Sequence, residues 1–124
     1  MIYLDTHAVI WLFAKNLNGF SPQGKKLIDS EELYISPMVE LEIEYLFEID
    51  KIKERSSIII GYLGEKIGLK VSDTAFSLII DTARKMKWTR NPFDRIITAQ
   101  ASAQDAVLLT KDRIIQKNYG KAFW

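Results

Sequence analysis

Residues 1–14 read MIYLDTHAVIWLFA, and their pattern is the strongest indication of the fold in the sequence. Residues 1–4 are a short apolar run, an acid follows at Asp5, and a helical segment begins at once. Such a run is typical of a strand that is buried on both faces of a parallel sheet. Similar apolar runs occur at 33–35, 69–71 and 106–109. The alternation of these strands with helical segments predicts an α/β fold.

Seven helical segments accompany the four predicted strands. They cover 7–14, 22–29, 37–49, 54–67, 74–86, 92–104 and 113–117. Residues typical of helix ends stand at these boundaries: Ser21, Asp73 and Asp112 as N-caps, Pro37 and Pro92 in first turns, and Gly68 as a stop. We expect one domain over residues 1–124, a three-layer α/β/α sandwich with a central parallel sheet.

Composition excludes several classes of protein and site. The chain has 124 residues, of which 48% are hydrophobic and 27% charged, as in ordinary globular domains. It has no cysteine, which excludes disulfides, thiol nucleophiles and cysteine-ligated metals, and one histidine, which excludes sites with two imidazoles. No stretch reaches the roughly 20 apolar residues of a membrane span, and no basic segment precedes the first apolar one. We expect a cytoplasmic protein that does not enter a membrane.

The charges are unevenly distributed, although the net charge is only +1. Eight acidic and no basic residues lie between 29 and 50, whereas five basic residues and one acidic residue lie between 84 and 95. Four more basic residues lie between 111 and 121. Two solvated helix faces of opposite sign would give this pattern. An acidic pocket with a basic rim would give it too, and would suit a polyanion that must meet metal ions.

Two acidic residues stand where a parallel sheet places its ligands, and a third stands at the start of a helix. Asp5 and Asp112 follow the predicted strands 1–4 and 106–109, and ligands collect at the carboxyl ends of such strands. Each residue can equally cap the helix that follows it. Asp94 lies in the first turn of its predicted helix, at the edge of the apolar face, where the helix dipole also favours a carboxylate.

Glu42 is the fourth acidic residue that suggests a site. On helix 37–49, Glu40, Glu44 and Glu48 form a polar stripe that reads as a solvated face. Glu42 instead falls within the predicted apolar arc, which comprises Met38, Leu41, Tyr45, Leu46 and Ile49. A carboxylate in an apolar setting is costly unless it is paired or binds a metal, and no basic residue precedes Lys51 on this helix.

Together the four carboxylates predict a metal site. They cannot converge without strong repulsion unless a cation neutralises them. Magnesium accepts oxygen ligands from a few carboxylates and leaves room for water and substrate phosphates. It can then activate a water and stabilise the leaving oxygen of a phosphodiester. No GxxxxGK[ST] loop is present, so metal-dependent phosphodiester cleavage is the predicted reaction.

Four segments stand out by their order and spacing: LDTHAVIWL at 4–12, ISPMVELEI at 35–43, NPFDRIITAQA at 91–101 and LLTKD at 108–112. They resemble PIN-domain proteins, and most of all the VapC-type toxins of bacterial toxin–antitoxin pairs. The resemblance spans essentially the whole chain. It implies a magnesium- or manganese-dependent endoribonuclease that a cognate antitoxin inhibits and that often forms a homodimer.

The resemblance also implies roles for individual residues. It assigns the metal-site and catalytic acids to Asp5, Glu42, Asp94 and Asp112, and to Thr110 a hydroxyl that supports the last acid by hydrogen bonding. We expect the first three acids to hold one ion directly, and the fourth to bind it through water or to hold a second. Many relatives have aspartate where this chain has Asn91, which leaves the number of metals open.

Basic residues near these segments are candidates for holding the RNA backbone: Arg90, Arg95, Lys111 and Arg113. Trp88 lies in the same basic run and can stack an unpaired base or pack at a helix end. The resemblance implies that His7 belongs to a helix start, and imidazole is a softer ligand than magnesium prefers. Ser36 reads as a helix cap, and no GxSxG elbow exists to support a serine nucleophile.

Two other functions remain open from the sequence. One is a non-catalytic PIN-fold module that binds RNA or protein. The other is a receiver-like signalling domain, which needs a pair of acids after the first strand where this chain has only Asp5. Apolar faces and the C-terminal Phe123 and Trp124 are compatible with a homodimer.

Overall fold

Five short parallel strands form the sheet at the centre of the computed structural model, which describes residues 1–124. The strands are Ile2–Leu4 (β1), Leu33–Ile35 (β2), Lys70–Val71 (β3), Val107–Leu109 (β4) and Ala122–Phe123 (β5). Their order is β3-β2-β1-β4-β5, so β1 is central. Ile2 aligns with Leu33 on one side and with Val107 on the other, which brings the carboxyl ends of β1, β2 and β4 to one edge.

Seven helices flank the sheet and complete the predicted three-layer α/β fold. They are Thr6–Phe13 (α1), Pro22–Ser30 (α2), Pro37–Glu48 (α3), Ser56–Ile67 (α4), Phe76–Ala83 (α5), Pro92–Ala103 (α6) and Arg113–Asn118 (α7). A 3₁₀ turn lies at Leu17–Gly19. None of the helices has both the length and the apolar character that crossing a bilayer requires.

The core is made by the strands and by the helix sides that cover them. Leu4, Ile35 and Leu108 are fully buried, as are Val9 of α1 and Ile97 of α6. At 25 cal/mol per Å², burying one such side chain stabilises the fold by about 1.5–3 kcal/mol relative to exposing it. The strands therefore act as buried anchors from which short connections run to the helices.

Most predicted helix ends are confirmed. Ser21 accepts a hydrogen bond from the Gly24 N–H, and Ser36 accepts one from the Met38 N–H, so both cap the helices that follow. Asp112 caps α7 in the same way. Gly68 ends α4 in the left-handed conformation, with φ of 70°.

Helix α5 is shorter than the sequence predicts, and the N-cap assigned to Asp73 is wrong. The N-cap is Ala75, because the buried Ser72 hydroxyl accepts hydrogen bonds from Tyr3 and Gln100 and also contacts Thr74, which holds this segment out of the helix. The strand at 122–123 was not predicted, because two residues give no usable period.

The buried side of α3 is also different from the prediction. Val39 and Ile43 face the core, whereas Leu41, Tyr45 and Ile49 are exposed. The helix has two apolar sides, and the side that carries the β-branched residues Val39 and Ile43 packs on the core. Glu42 still borders the buried side, because residues three and four apart share a helix face. Glu44 is more than a solvated charge, since it accepts hydrogen bonds from Arg55 (2.8 Å) and from the Ser56 N–H (3.0 Å) at the start of α4.

Candidate functional site

The four predicted acids line one cavity at the carboxyl edge of the sheet. Its volume is about 270 Å³, and the chain reaches it from four separate segments. Asp5 follows β1, Asp112 follows β4, Glu42 lies in the second turn of α3, and Asp94 lies in the first turn of α6. The structure therefore brings together residues that are up to 107 positions apart in the sequence.

Asp5 is the buried acid of the group. One carboxylate oxygen accepts the Thr6 N–H (2.7 Å) and the other accepts the Thr110 hydroxyl (2.5 Å). Its own N–H donates to the Leu109 carbonyl (3.0 Å), which joins the ends of β1 and β4. Burial raises the pKa of Asp5, and the two hydrogen bonds oppose that rise because they stabilise the ionised form.

Glu42 is held by the residue next to Asp5. The Thr6 hydroxyl donates a hydrogen bond to the Glu42 carboxylate, while the Thr6 N–H donates to Asp5. Thr6 therefore fixes two carboxylates at once. Burial raises the pKa of Glu42, the Thr6 hydrogen bond lowers it, and the charge of Asp5 raises it further.

Asp94 is a half-buried acid whose ionisation is disfavoured by its surroundings. Burial, followed by the charges of Asp112, Asp5 and Glu42, raises its pKa from 3.8 to about 6. The Asn91 side chain caps α6 by accepting the Phe93 N–H (2.9 Å) and the Asp94 N–H (3.3 Å). The amide at 91 thus supports the backbone of the acid and adds no charge to the cavity.

Asp112 divides its contacts between the helix and the strand end. One carboxylate oxygen accepts the Ile114 and Ile115 N–H groups (2.8 and 3.0 Å) at the start of α7. Its N–H donates to the Thr110 hydroxyl (3.1 Å). That hydroxyl donates to Asp5, so Thr110 supports the carboxylate of Asp5 and only the backbone of Asp112.

The donor set fits a hard divalent cation. All four acids offer carboxylate oxygens, the ligands that magnesium and manganese prefer. As the side chains stand, no three acidic or histidine groups lie close enough to share one ion. Asp5, Glu42 and Asp112 are instead turned towards protein donors, and carboxylate oxygens keep further acceptor capacity. Since mutual repulsion helps to raise the pKa of Asp94, a cation among these groups would relieve it.

Three further residues line the cavity: His7, Trp11 and Lys111. The ammonium of Lys111 lies 4.5 Å from the centre of the Trp11 ring. Sequence reasoning missed Trp11 and the supporting role of Thr6. A signal for Trp11 was available, because it lies four residues after His7 and so shares its face of α1. His7 is exposed at the start of this helix.

Most of the basic residues predicted to surround the acidic cavity do not line it. Of these four residues only Lys111 lines the cavity. The Arg95 guanidinium donates to the carbonyls of Ala83 (2.9 Å) and Arg84 (3.5 Å), which ties α6 to the end of α5. Arg90 donates to the Lys87 carbonyl (3.1 Å), and Arg113 is exposed in the first turn of α7. Trp88 packs against the core as a partly buried residue.

Comparisons with known proteins agree with this architecture. The family model for the PIN domain matches residues 2–121. Among solved structures, a chain of VapBC2 from Rickettsia felis, bound to a DNA fragment from its promoter, has a similar fold, with a TM-score of 0.64 and 18% sequence identity. The match covers 94% of this chain and 92% of that chain. No curated protein matches the sequence.

Proposed function

This chain belongs to the PIN domain family, and from that membership we propose that it is a divalent-metal-dependent endoribonuclease, the toxin of a toxin–antitoxin pair. The observation that carries the proposal is the cavity lined by Asp5, Glu42, Asp94 and Asp112. A chain that needed these acids only as helix caps would have no reason to gather four of them against their mutual repulsion.

Magnesium or manganese is the cofactor that we propose for this cavity. Asp5, Glu42 and Asp94 would hold one ion, and Asp112 would reach it through water or hold a second. When bound, the cation supplies activation of a water and neutralisation of the charge on the phosphodiester. The raised pKa of Asp94 supports this assignment, since burial and then the charges of the other three acids raise it, and a cation would offset both effects.

The residues of the chain provide part of the geometry that such a reaction requires. Thr6 and Thr110 hold the carboxylates of Glu42 and Asp5 by hydrogen bonds, and each carboxylate keeps acceptor capacity for a cation. Lys111 is the lining residue placed to hold a substrate phosphate. Arg90 and Arg113 are exposed, and we propose that they contact the RNA backbone further out, without reading sequence.

Family membership removes the receiver-like alternative, but a non-catalytic binding module stays a competing proposal. Cleavage of total RNA by the purified chain separates the two. We expect discrete cleavage with magnesium or manganese and none in EDTA. Asp5→Asn should abolish it, whereas Asp73→Asn, which removes an exposed acid outside the cavity, should leave it unchanged. Metal-independent cleavage, or equal cleavage by the Asp5 variant, would contradict the proposal.

We also propose an antitoxin partner and a homodimer. The similar Rickettsia felis chain comes from a VapBC2 structure, which supports a protein partner for this chain. Leu41, Phe76 and Leu78 are each more than half exposed, which supports self-association. Trp124 is not available for it, because it stacks on Phe20 within the chain. Light scattering on the purified chain would show a mass twice 14.3 kDa if the homodimer forms.

A further inference from the structure

Part of the cavity wall carries no carboxylate. Trp11 and Lys111 form it, one from α1 and the other from the segment after β4. Lys111 is the only lining residue with a permanent positive charge. It forms no ion pair with the nearby acids, and its ammonium lies over the Trp11 ring instead.

Two aromatic residues of the chain contact the Trp11 ring and hold it in place. Trp124 meets it at 84° with 5.3 Å between centroids, and Phe20 meets it at 85° with 6.2 Å. The Trp124 indole N–H donates to the Gly19 carbonyl (2.6 Å). A Cβ at Gly19 would lie 2.0 Å from the Trp11 ring, so only glycine permits this position. Because both aromatic contacts are edge-to-face, neither ring covers Trp11 by parallel stacking.

We propose that Trp11 and Lys111 form a subsite for one unpaired nucleotide beside the phosphodiester that is cut. This inference rests on the proposed nuclease function and deepens it. Lys111 holds a backbone phosphate, and its move to that phosphate exposes the Trp11 face to the neighbouring base. An aromatic ring accepts any base by stacking, but the base must be unpaired. The subsite therefore selects single-stranded RNA without selecting its sequence.

Equilibrium binding tests the subsite without relying on cleavage. The probe is an end-labelled single-stranded RNA of mixed sequence and about 12 nucleotides, within the span of one binding domain. Fluorescence anisotropy is measured with magnesium in an Asp94→Asn background, which we expect to be cleavage-deficient. The added variants are Trp11→Leu, Trp11→Phe, Lys111→Gln and Lys117→Gln. Lys117 is the matched control, because it is exposed on α7 and does not line the cavity.

The two residues should give different signatures. Trp11→Leu should raise Kd by roughly 5- to 150-fold, the effect of losing one stacked base, with no change in the salt dependence. Trp11→Phe should retain most of the affinity. Lys111→Gln should reduce the slope of log Kd against log salt by about 0.7, the value for one phosphate contact on a single strand. Lys117→Gln should change neither quantity.

Either of two results would overturn the subsite. One is an unchanged salt slope for Lys111→Gln, which decides the matter even if Trp11→Leu folds poorly, because Lys111 is exposed. The other is an equal loss of affinity of Trp11→Leu for a duplex of the same sequence, since a paired base cannot stack on the ring. If the wild type cleaves RNA and either result is found, the subsite is refuted and the nuclease function is not. If the wild type does not cleave RNA, the proposed nuclease function is refuted, and the proposed subsite beside a cleaved phosphodiester is refuted with it.

Discussion

Asp94→Asn should stabilise the metal-free protein, although it removes a residue of the proposed active site. Asp94 is half-buried and faces the charges of Asp5, Glu42 and Asp112. Asparagine has nearly the same shape and carries no charge. The substitution therefore removes repulsion and desolvation while it leaves the packing of α6 in place.

The magnitude follows from the pKa. For Asp94 the pKa is about 6 in the folded chain, against 3.8 without the surrounding structure. At about 1.4 kcal/mol for each tenfold change in proton affinity, the difference corresponds to about 3 kcal/mol. Solvent screening of a half-exposed group reduces this to about 1–1.5 kcal/mol.

The sign with pH follows from linkage. Below about pH 3 the carboxyl is protonated in both states and has no effect on stability. Between about pH 4 and 6 the folded state holds the proton more tightly, so the stability of the wild type falls as pH rises. Above about pH 6 the full destabilisation is present, and Asp94→Asn removes it.

Urea unfolding followed by circular dichroism, in EDTA, measures the effect. At pH 8 we expect Asp94→Asn to raise the free energy of unfolding by about 1–1.5 kcal/mol, or roughly 3–6 °C in Tm. At pH 3 the two proteins should be equally stable. Asp73→Asn, at an exposed position, should match the wild type at both pH values. An Asp94→Asn variant that is equal to or less stable than the wild type at pH 8 would contradict the destabilisation of the Asp94 carboxylate by burial and by its acidic neighbours.

Three further predictions concern the same region. Thr110→Val should lower the free energy of unfolding by about 1–3 kcal/mol in urea, because Asp5 loses a donor and the Asp112 N–H loses its acceptor; no loss would mean that these bonds are not formed. Gly19→Ala should displace the Trp11 ring and change the near-ultraviolet circular dichroism, and an unchanged spectrum would contradict the close approach. Magnesium should raise the free energy of unfolding in proportion to the logarithm of its concentration above Kd, by about 2.7 kcal/mol at 100 Kd, with a corresponding rise in Tm, and Asp94→Asn should weaken this response.

Much of the fold follows from local sequence signals. The runs at Ile2–Leu4 and Leu33–Ile35 are strands because they are apolar on both faces, and prolines and caps mark where the helices begin. The side of α3 that faces the sheet could not be predicted in this way. Val39 and Leu41 are both apolar, and only the sheet decides which of them is buried.

The candidate site was predictable in its acids and less so in its supporting residues. The four carboxylates could be selected from the sequence because two follow predicted strands and two lie at or within the apolar face of a predicted helix, where a charge is unusual. The roles of Thr6 and Trp11 depend on contacts with residues distant in the sequence, Glu42 and Lys111. The cap at Asn91 depends on a local geometry that several residue types adopt. The resemblance to PIN-domain proteins implied that the Thr110 hydroxyl supports Asp112 by hydrogen bonding; in the structure this hydroxyl accepts the Asp112 N–H and donates to Asp5.

The connections at the carboxyl edge of the sheet have almost no spare length. Asp5 alone separates β1 from α1, and Ser36 alone separates β2 from α3. One inserted residue there would rotate the following helix by about 100° and turn its site residues away from the cavity. Longer loops are tolerated away from this edge, for instance at 49–55, between the end of α3 and the start of α4. Variation in the candidate site is therefore expected mainly from side chains exchanged on a fixed backbone.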